Sequence, residues 1–282
     1  MPDTPGPRIA VLIATSGGRT VLLAERGLPS VYRQEGVDPN RVAVTLVDDN
    51  ADVTEFARVA SAVEDLRLRL HVPAAAFPTT LMRNVRVRGH SGTGAWNTGL
   101  YCLRSALPPP DWVAILDDDD EFLPRHLKAC VDATAGGVVG VFERLEWVRA
   151  EGVEGRPFDV DDLTPAAFFV GNPGVQGSNL FVRLDALLAI GGFDEALPNT
   201  TDRDLMIRLL QHAYATGQVV RAVPSVGVRY HDHGQPRVNT DLRLKCEGLN
   251  IFYAKHARAF SAEQLRASLE RARAFFGYEG VL

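Results

Sequence analysis

Hydrophobic residues fall along this chain in short unbroken runs, separated by longer segments of mixed character. RIAVLIAT (8–15) and RVAVTLVDD (41–49) are β-branched runs bounded by polar or turn residues, and both predict buried strands. LRLHV (68–72) is a shorter strand candidate, WVAIL (112–116) is the fourth, and GVVGVF (137–142) follows. Between the first two, RTVLLAERGLPSVYRQ (19–34) sets Ala24, Leu28, Val31 and Tyr32 at helical spacing, with Gly27 and Pro29 predicting a kink or break. Helices are also predicted over 52–65 and 94–106, the latter stopped by the prolines at 108–110.

Strand and helix thus alternate up to about residue 120, which predicts an α/β fold with a mostly parallel sheet and helices on both faces. Such sheets bind ligands beyond the carboxyl ends of their strands. Asp48–Asp49 and Asp117–Asp120 both fall at strand ends, so topology alone puts them on one rim. Farther on, residues 152–178 are rich in Gly, Pro and Asp and read as a long loop or flap. TDRDLMIRLLQHAYATG (201–217) predicts a helix capped by Thr201 or Asp202 and ended by Gly217. Residues 241–276 predict two more helices, with Ser261 capping the second. No repeat, low-complexity tract or linker interrupts the chain, so one domain with a C-terminal helical appendage is expected.

Composition narrows the function classes. Of 282 residues, 46% are hydrophobic, enough for a substantial core, and a net charge of −5 gives no basic footprint for nucleic acid. Cys102, Cys130 and Cys246 are widely spaced and read as free thiols in a reducing compartment. The first residues carry no apolar signal core, and no run approaches the length of a membrane span. A cytoplasmic protein is expected, with peripheral membrane association compatible.

The sharpest chemical signal is WVAILDDDDEF (112–122), a buried strand running into four aspartates. Two unit charges ~5 Å apart at an effective dielectric of ~20 repel by roughly 3 kcal/mol. On an extended strand Asp117 and Asp119 share one face, Asp118 and Asp120 the other. Paired carboxylates at a strand end suit a hard divalent cation that keeps positions free for phosphates; a solvated acidic turn or a helix start is the plainer alternative. Without a cation, like-charge repulsion should raise at least one of these pKa values. In LVDDN (46–50), Asp49 is either a nucleotide contact or a turn residue. Asp202 and Asp204 open a helix, as caps or as a general base. In YHDHG (230–234), His231 and His233 are either metal ligands or ordinary surface histidines.

In this order and spacing the segments resemble the family 2 glycosyltransferases of GT-A fold. VLIATSGGRTVLLAERGLPSVYRQ is similar to that family's opening strand and helix, LVDDN to its first nucleotide-contacting aspartate, and GTGAWNTGL (92–100) to its alanine-rich helix. LDDDDEFLPRHL resembles its DXD segment, and GSNLFVRLDALLAIGGFDEALPNTTDRDLMIRLL (177–210) its acceptor strand, Gly-Gly-Phe-Asp-Glu turn and catalytic helix. The likeness covers about residues 8 to 235. It implies a transferase domain over 1–235, with a nucleotide-sugar part at about 8–120, an acceptor part at about 121–235, and 236–282 as a helical extension of the same domain.

By that resemblance Thr15, Asp49, Asp117 and Asp118 bind the nucleotide, and Asp119 with His233 binds Mn2+ or Mg2+, His231 being the alternative. Asp202 is the catalytic base of a single inverting displacement, and Asn179 and Asp204 lie on the acceptor side. The donor is a nucleotide-sugar, UDP favoured and dTDP or GDP open, and the acceptor is unspecified. The C-terminal helices would dimerise the chain, cover the acceptor site or cap the core. Two positions depart from the pattern: Thr201 stands where Glu is usual, and Trp96 where Arg is common. Competing readings are a retaining transferase on the same fold, a sugar-phosphate nucleotidyltransferase (TSGGRT, 15–20, faintly echoes its phosphate loop) and a non-catalytic sugar-nucleotide-binding protein. A HAD-type phosphatase fits poorly, since Glu121 occupies the place of its Thr or Val.

Overall fold

The structure, a computed structural model, describes residues 6–156, 158, 160–232 and 241–280. The first apolar run forms β1 (Ile9–Thr15), followed by α1 (Thr20–Leu22), a π-helical turn over Leu23–Gly27 and α2 (Leu28–Tyr32), the break expected around Gly27 and Pro29. Next come β2 (Val42–Asp48), α3 (Val53–Arg69), β3 (Thr79–Arg83), α4 (Thr93–Arg104) and β4 (Trp112–Asp117). β1 pairs in parallel with both β2 and β4, and β3 adds in parallel outside β2. The register sets Thr15 opposite Asp48, and Ala14 opposite Asp117. Three strands therefore end level, and the acidic termini of β2 and β4 share one rim with Thr15 of β1.

Beyond β4 the sheet changes direction. β5 (Glu121–Phe122), α5 (His126–Asp132), β6 (Val138–Arg149), β7 (Gly152–Arg156), α6 (Pro165–Val170), β8 (Phe181–Arg183), α7 (Leu184–Ala189), α8 (Thr201–Ala215) and β9 (Val219–His231) follow in turn. The sheet order is β3-β2-β1-β4-β8-β6-β9-β5, with β7 hairpinned onto β6. β8 runs antiparallel to β4 and β6, whereas β9 is parallel to β6.

Two apolar layers sandwich this sheet because strand side chains alternate faces. Ala10 and Leu12 join residues of α4, α7 and α8 on one side; Ile9, Val11 and Ile13 join residues of α2 and α3 on the other. The C-terminal pair, α9 (Leu242–His256) and α10 (Ala262–Phe276), belongs to the first layer through Leu249, Phe252, Tyr253 and Ala272. Asp241 caps α9, and Ser261 caps α10 in a reciprocal box with Gln264. Arg203 of α8 ties three helices together: its guanidinium donates to the carbonyls of Phe168 and Phe169 at 2.9 and 2.6 Å and to Ser268 Oγ at 3.2 Å. Of the roles foreseen for the C-terminal helices, capping the core is the one these contacts display. No helix among the described residues is long and apolar enough to cross a membrane.

Two expectations fail locally. LRLHV is not a strand: α3 continues through Arg69, with Val59, Val63 and Leu66 buried at helical spacing while Leu68 is 74% exposed. The third strand is Thr79–Arg83, an edge strand without a fully buried residue, so it has no apolar signature. The 152–178 segment is also not a plain loop, since it contains β7 and α6, whose Phe168 and Phe169 are buried.

α4 approaches the 84–89 loop so closely that a Cβ at Gly94 would lie 2.0 Å from the Val87 carbonyl oxygen. Gly94→Ala gains up to about 1 kcal/mol of helix propensity, but the clash is with backbone, which yields only by moving the loop. We expect a net loss of about 2 kcal/mol, visible as a lower midpoint in thermal unfolding; an unchanged or higher midpoint would mean the loop yields freely.

Candidate active site

The acidic run leaves the strand after Asp117 and turns, with the Asp120 amide donating to the Asp117 carbonyl at 3.2 Å. The turn breaks the expected alternation. Carboxylate oxygens of Asp117, Asp119 and Asp120 converge within 4.8 Å of one another, while Asp118 faces away. Ser178 helps to set this geometry: its hydroxyl accepts from the Asp117 amide at 3.1 Å and donates to Asp120 Oδ2 at 2.6 Å. The His231 amide donates to the other Asp120 oxygen at 3.0 Å. Arg19 follows the glycines at 17 and 18, which take φ of +38° and +75°. Its guanidinium reaches Asp118 at 2.9 Å and Asp119 at 3.3 Å.

A cleft joins this turn to the start of α8. Arg19, Asp117 and Asp119 line one part, and Asn199, Thr200 and Asp202 another; Trp96, Gln176, Gly177 and Tyr230 also contribute. A larger cavity of about 890 Å3 lies along α3 beside β3 and shares no residue with this cleft. Three convergent oxygen donors beside an open cleft match the preference of Mg2+ or Mn2+ for hard carboxylate ligands, so the donor set fits the cation that the sequence suggests.

Other anticipated site residues stand elsewhere. Asp118 is 1% exposed, does not line the cleft, and pairs with Arg19, which does, the Thr15 hydroxyl beside it. Asp49 accepts from Asn84 Nδ2 at 2.6 Å and from the Gly89 amide at 3.0 Å, while its own amide donates to the Thr15 carbonyl. Asn179 is fully buried and orders its turn through the Gln176 amide and the carbonyls of Glu143 and Gly174, so Gln176 and Gly177 face the cleft instead. Asp204 is likewise fully buried, clamped by Arg208 at 2.6 Å, Lys255 at 2.7 Å and His256 at 2.9 Å. Neither Asn179 nor Asp204 lines the cleft, because helix and turn geometry aim both side chains into the protein. His233 lies outside the described residues; the ring of His231 is 3.4 Å from Glu121. Arg19, Ser178, Thr200 and Tyr230 were not anticipated, and only Arg19 had a local signal, the Gly-Gly-Arg after a buried strand.

No family model matches the chain. A succinoglycan biosynthesis protein, ExoO of Rhizobium meliloti (strain 1021), is 29% identical over 240 residues, which is 80% of this chain and 61% of that protein. The chain thus spans less than two thirds of that relative's length. S. aureus TarS 1–349, in complex with UDP-GlcNAc, superposes with a TM-score of 0.66 at 15% identity over 95% of this chain and 73% of that one. The mannosyltransferase PcManGT from Pyrobaculum calidifontis, in complex with GDP-Man and Mn2+, gives 0.61 at 19% identity over 99% and 77%. The chain has the GT-A glycosyltransferase fold. Its motif likeness to family 2 is consistent with these relatives.

In this GT-A core the carboxyls do not share one electrostatic state. Burial first, then Asp119 and Asp117 against the opposing pull of Arg19, moves Asp118 up to about 7. Asp120 lies well above the carboxylate range, again chiefly through burial and then through Asp117 and Asp119. Desolvation therefore outranks the mutual repulsion expected from sequence. Asp202 keeps some solvent contact within the cleft, yet loss of hydration, then Asp117, carries it to about 7, with Lys245 pulling the other way. Asp204 is the converse: burial raises it, but His256, Arg208 and Lys255 hold it well below the usual range.

An acid whose folded pKa exceeds its unfolded value near 4 keeps its proton in the native state after the unfolded chain has lost it, so stability falls as pH climbs from about 4 to about 7. Asp118, Asp120 and Asp202 all act in this sense, and the depressed Asp204 opposes them only below about pH 4. We expect the melting temperature of metal-free protein to fall between pH 5 and pH 8, and Mn2+ to raise it more at pH 8. A melting temperature that rises over this range would contradict the burial of these groups.

Proposed function

We propose that this chain is a metal-dependent glycosyltransferase that moves a sugar from a nucleotide-sugar to an acceptor hydroxyl by one inverting displacement. The observation that carries this reading is the cleft that joins Asp117 and Asp119, with Asp120 buried behind them, to Asp202 on a GT-A core. The fold-level neighbours holding UDP-GlcNAc, or GDP-Man with Mn2+, support the donor class and the cation.

Asp117, Asp119 and Asp120 would hold Mn2+ or Mg2+, which when bound supplies positive charge to the departing diphosphate. Asp202 takes the acceptor proton as the hydroxyl oxygen attacks the anomeric carbon. The bond from that carbon to the phosphate oxygen breaks, and the nucleoside diphosphate leaves. A carboxyl with a pKa of about 7 is well matched to a base working near neutrality. Thr201 does not interrupt this chemistry, since the base is its neighbour. Arg19, between Asp118 and Asp119, fixes the wall of the phosphate side.

Asp202→Asn should lose transfer by about 10²–10⁴-fold while keeping Mn2+-dependent nucleotide binding, and Asp119→Ala should lose both. Calorimetry with UDP, dTDP and GDP, each with and without Mn2+, would measure binding and identify the donor base. In wild type, kcat/KM should rise with pH through about 7, as Asp202 becomes the free carboxylate. Undiminished transfer by Asp202→Asn would remove the base assignment.

A further inference from the structure

Two polar atoms on the cleft wall are buried without a hydrogen-bond partner among the described residues: the indole nitrogen Nε1 of Trp96 and the hydroxyl of Thr200. Their residues are 4% and 7% exposed. Leaving a buried polar group unsatisfied forfeits its hydration with nothing in return, so two in one cleft need a reason. Thr200 adds strain. It sits at the N-cap of α8 with φ +68°, a left-handed conformation that a β-branched residue seldom adopts, and its side chain does not cap the helix.

The surroundings say what these groups face. The indole edge that carries Nε1 runs between Gly92 and Gly177: a Cβ on Gly177 would lie 3.1 Å from Cη2 of Trp96 and 3.6 Å from Oδ2 of Asp117, and one on Gly92 3.9 Å from Cε2. Trp96 is fixed from behind by Phe193, ring centroids 4.7 Å apart. Thr200 stands two residues before Asp202. The pair thus lines the same cleft as Asp117 and Asp119 of the phosphate side and as Asp202, and a sugar that passes from one to the other must lie in that cleft. Trp96 stands where the resembled family commonly carries Arg, so a neutral donor on an aromatic plate replaces a charge.

Resting on the proposed transferase reading, we propose that Trp96 and Thr200 form the subsite for the transferred sugar. Trp96 Nε1 donates to one ring hydroxyl, and Thr200 exchanges a hydrogen bond with another. An indole N–H only donates, whereas a threonine hydroxyl donates and accepts; together they select a hexosyl group with free hydroxyls. Neither atom is open to water in this structure, so the proposal requires both side chains to turn toward the ring on binding. The same chemistry would recognise a sugar of the acceptor, and the experiment separates the two sources.

The test compares UDP-GlcNAc with UDP, and GDP-Man with GDP, by calorimetry with Mn2+ on wild type, Thr200→Val, Thr200→Ser and Trp96→Phe. Thr200→Val keeps the branched shape, and the free nucleotide reports whether each variant is folded. We expect the sugar nucleotide to bind about fivefold more weakly to Thr200→Val and to Trp96→Phe, the free nucleotide to bind as to wild type, and Thr200→Ser to restore the difference. If wild type binds the nucleotides and neither variant lowers the sugar-specific gain, this subsite is wrong and the transferase reading survives. Variants that bind both sugar nucleotides as wild type does, yet transfer the sugar to water or acceptor more slowly, would place the two groups outside the donor sugar's subsite and overturn the assignment. Wild type that binds none of these four ligands, nor dTDP, with Mn2+ overturns the transferase reading and the subsite with it.

Discussion

Four consecutive carboxyls can be taken out of water only if each finds its own compensation, and most of the site follows from how this chain divides them. Asp118 turns inward to Arg19. Asp120 is held by the Ser178 hydroxyl and the His231 amide. Asp117 and Asp119 are left facing the cleft. Each partner comes from a different part of the chain: Arg19 from the turn after β1, Ser178 from the turn before β8, His231 from the end of β9. A strand that carried the four charges straight on would bring them together only in pairs, Asp117 with Asp119 and Asp118 with Asp120. The turn at Asp118–Asp120 brings three donors together, and the partners it requires pull both halves of the sheet toward the same rim.

The parallel half of the fold was legible because its strands are buried on both faces. Such strands carry continuous apolar runs, and β1, β2, β4 and the start of β6 all do. Where burial is partial the signal disappears. β3 is an edge strand of intermediate exposure, while LRLRLHV mimics a strand by alternating Leu with Arg although it ends a helix. Periodicity reports which faces are covered, and an edge strand has too little covered surface to report.

Of the candidate site, sequence pointed to Asp117, Asp119 and Asp202, residues at the ends of well-marked elements, and all three line the cleft. The candidate site was not legible at Asp204 or Asn179. Two positions after Asp202 on the same helix, Asp204 faces the opposite way, into Arg208, Lys255 and His256. A motif names residue types in order; it does not say which face each side chain takes, and i and i+2 on a helix never share one. Ser178 and Thr200 gave no signal at all, because their roles arise from distant segments that meet only in the folded chain.

The C-terminal helices, outside the motif likeness but inside the superposition on PcManGT, bear on this same point. Lys255 and His256 close the pocket under Asp204 in the first turn of α8, and Lys245 donates to Asn199 Oδ1 at 2.7 Å just before that turn. Phe252 carries the Arg203 guanidinium over its ring, 4.3 Å from the centroid. The helix that bears Asp202 is thus held from below by α9 at three successive levels. An acid poised near neutrality depends on a fixed balance between lost hydration and nearby charge, and a loose α8 would admit water and let that balance relax. On this argument the extension supports the candidate site: its contacts hold the start of α8, where Asp202 is poorly hydrated and Thr200 takes its left-handed conformation.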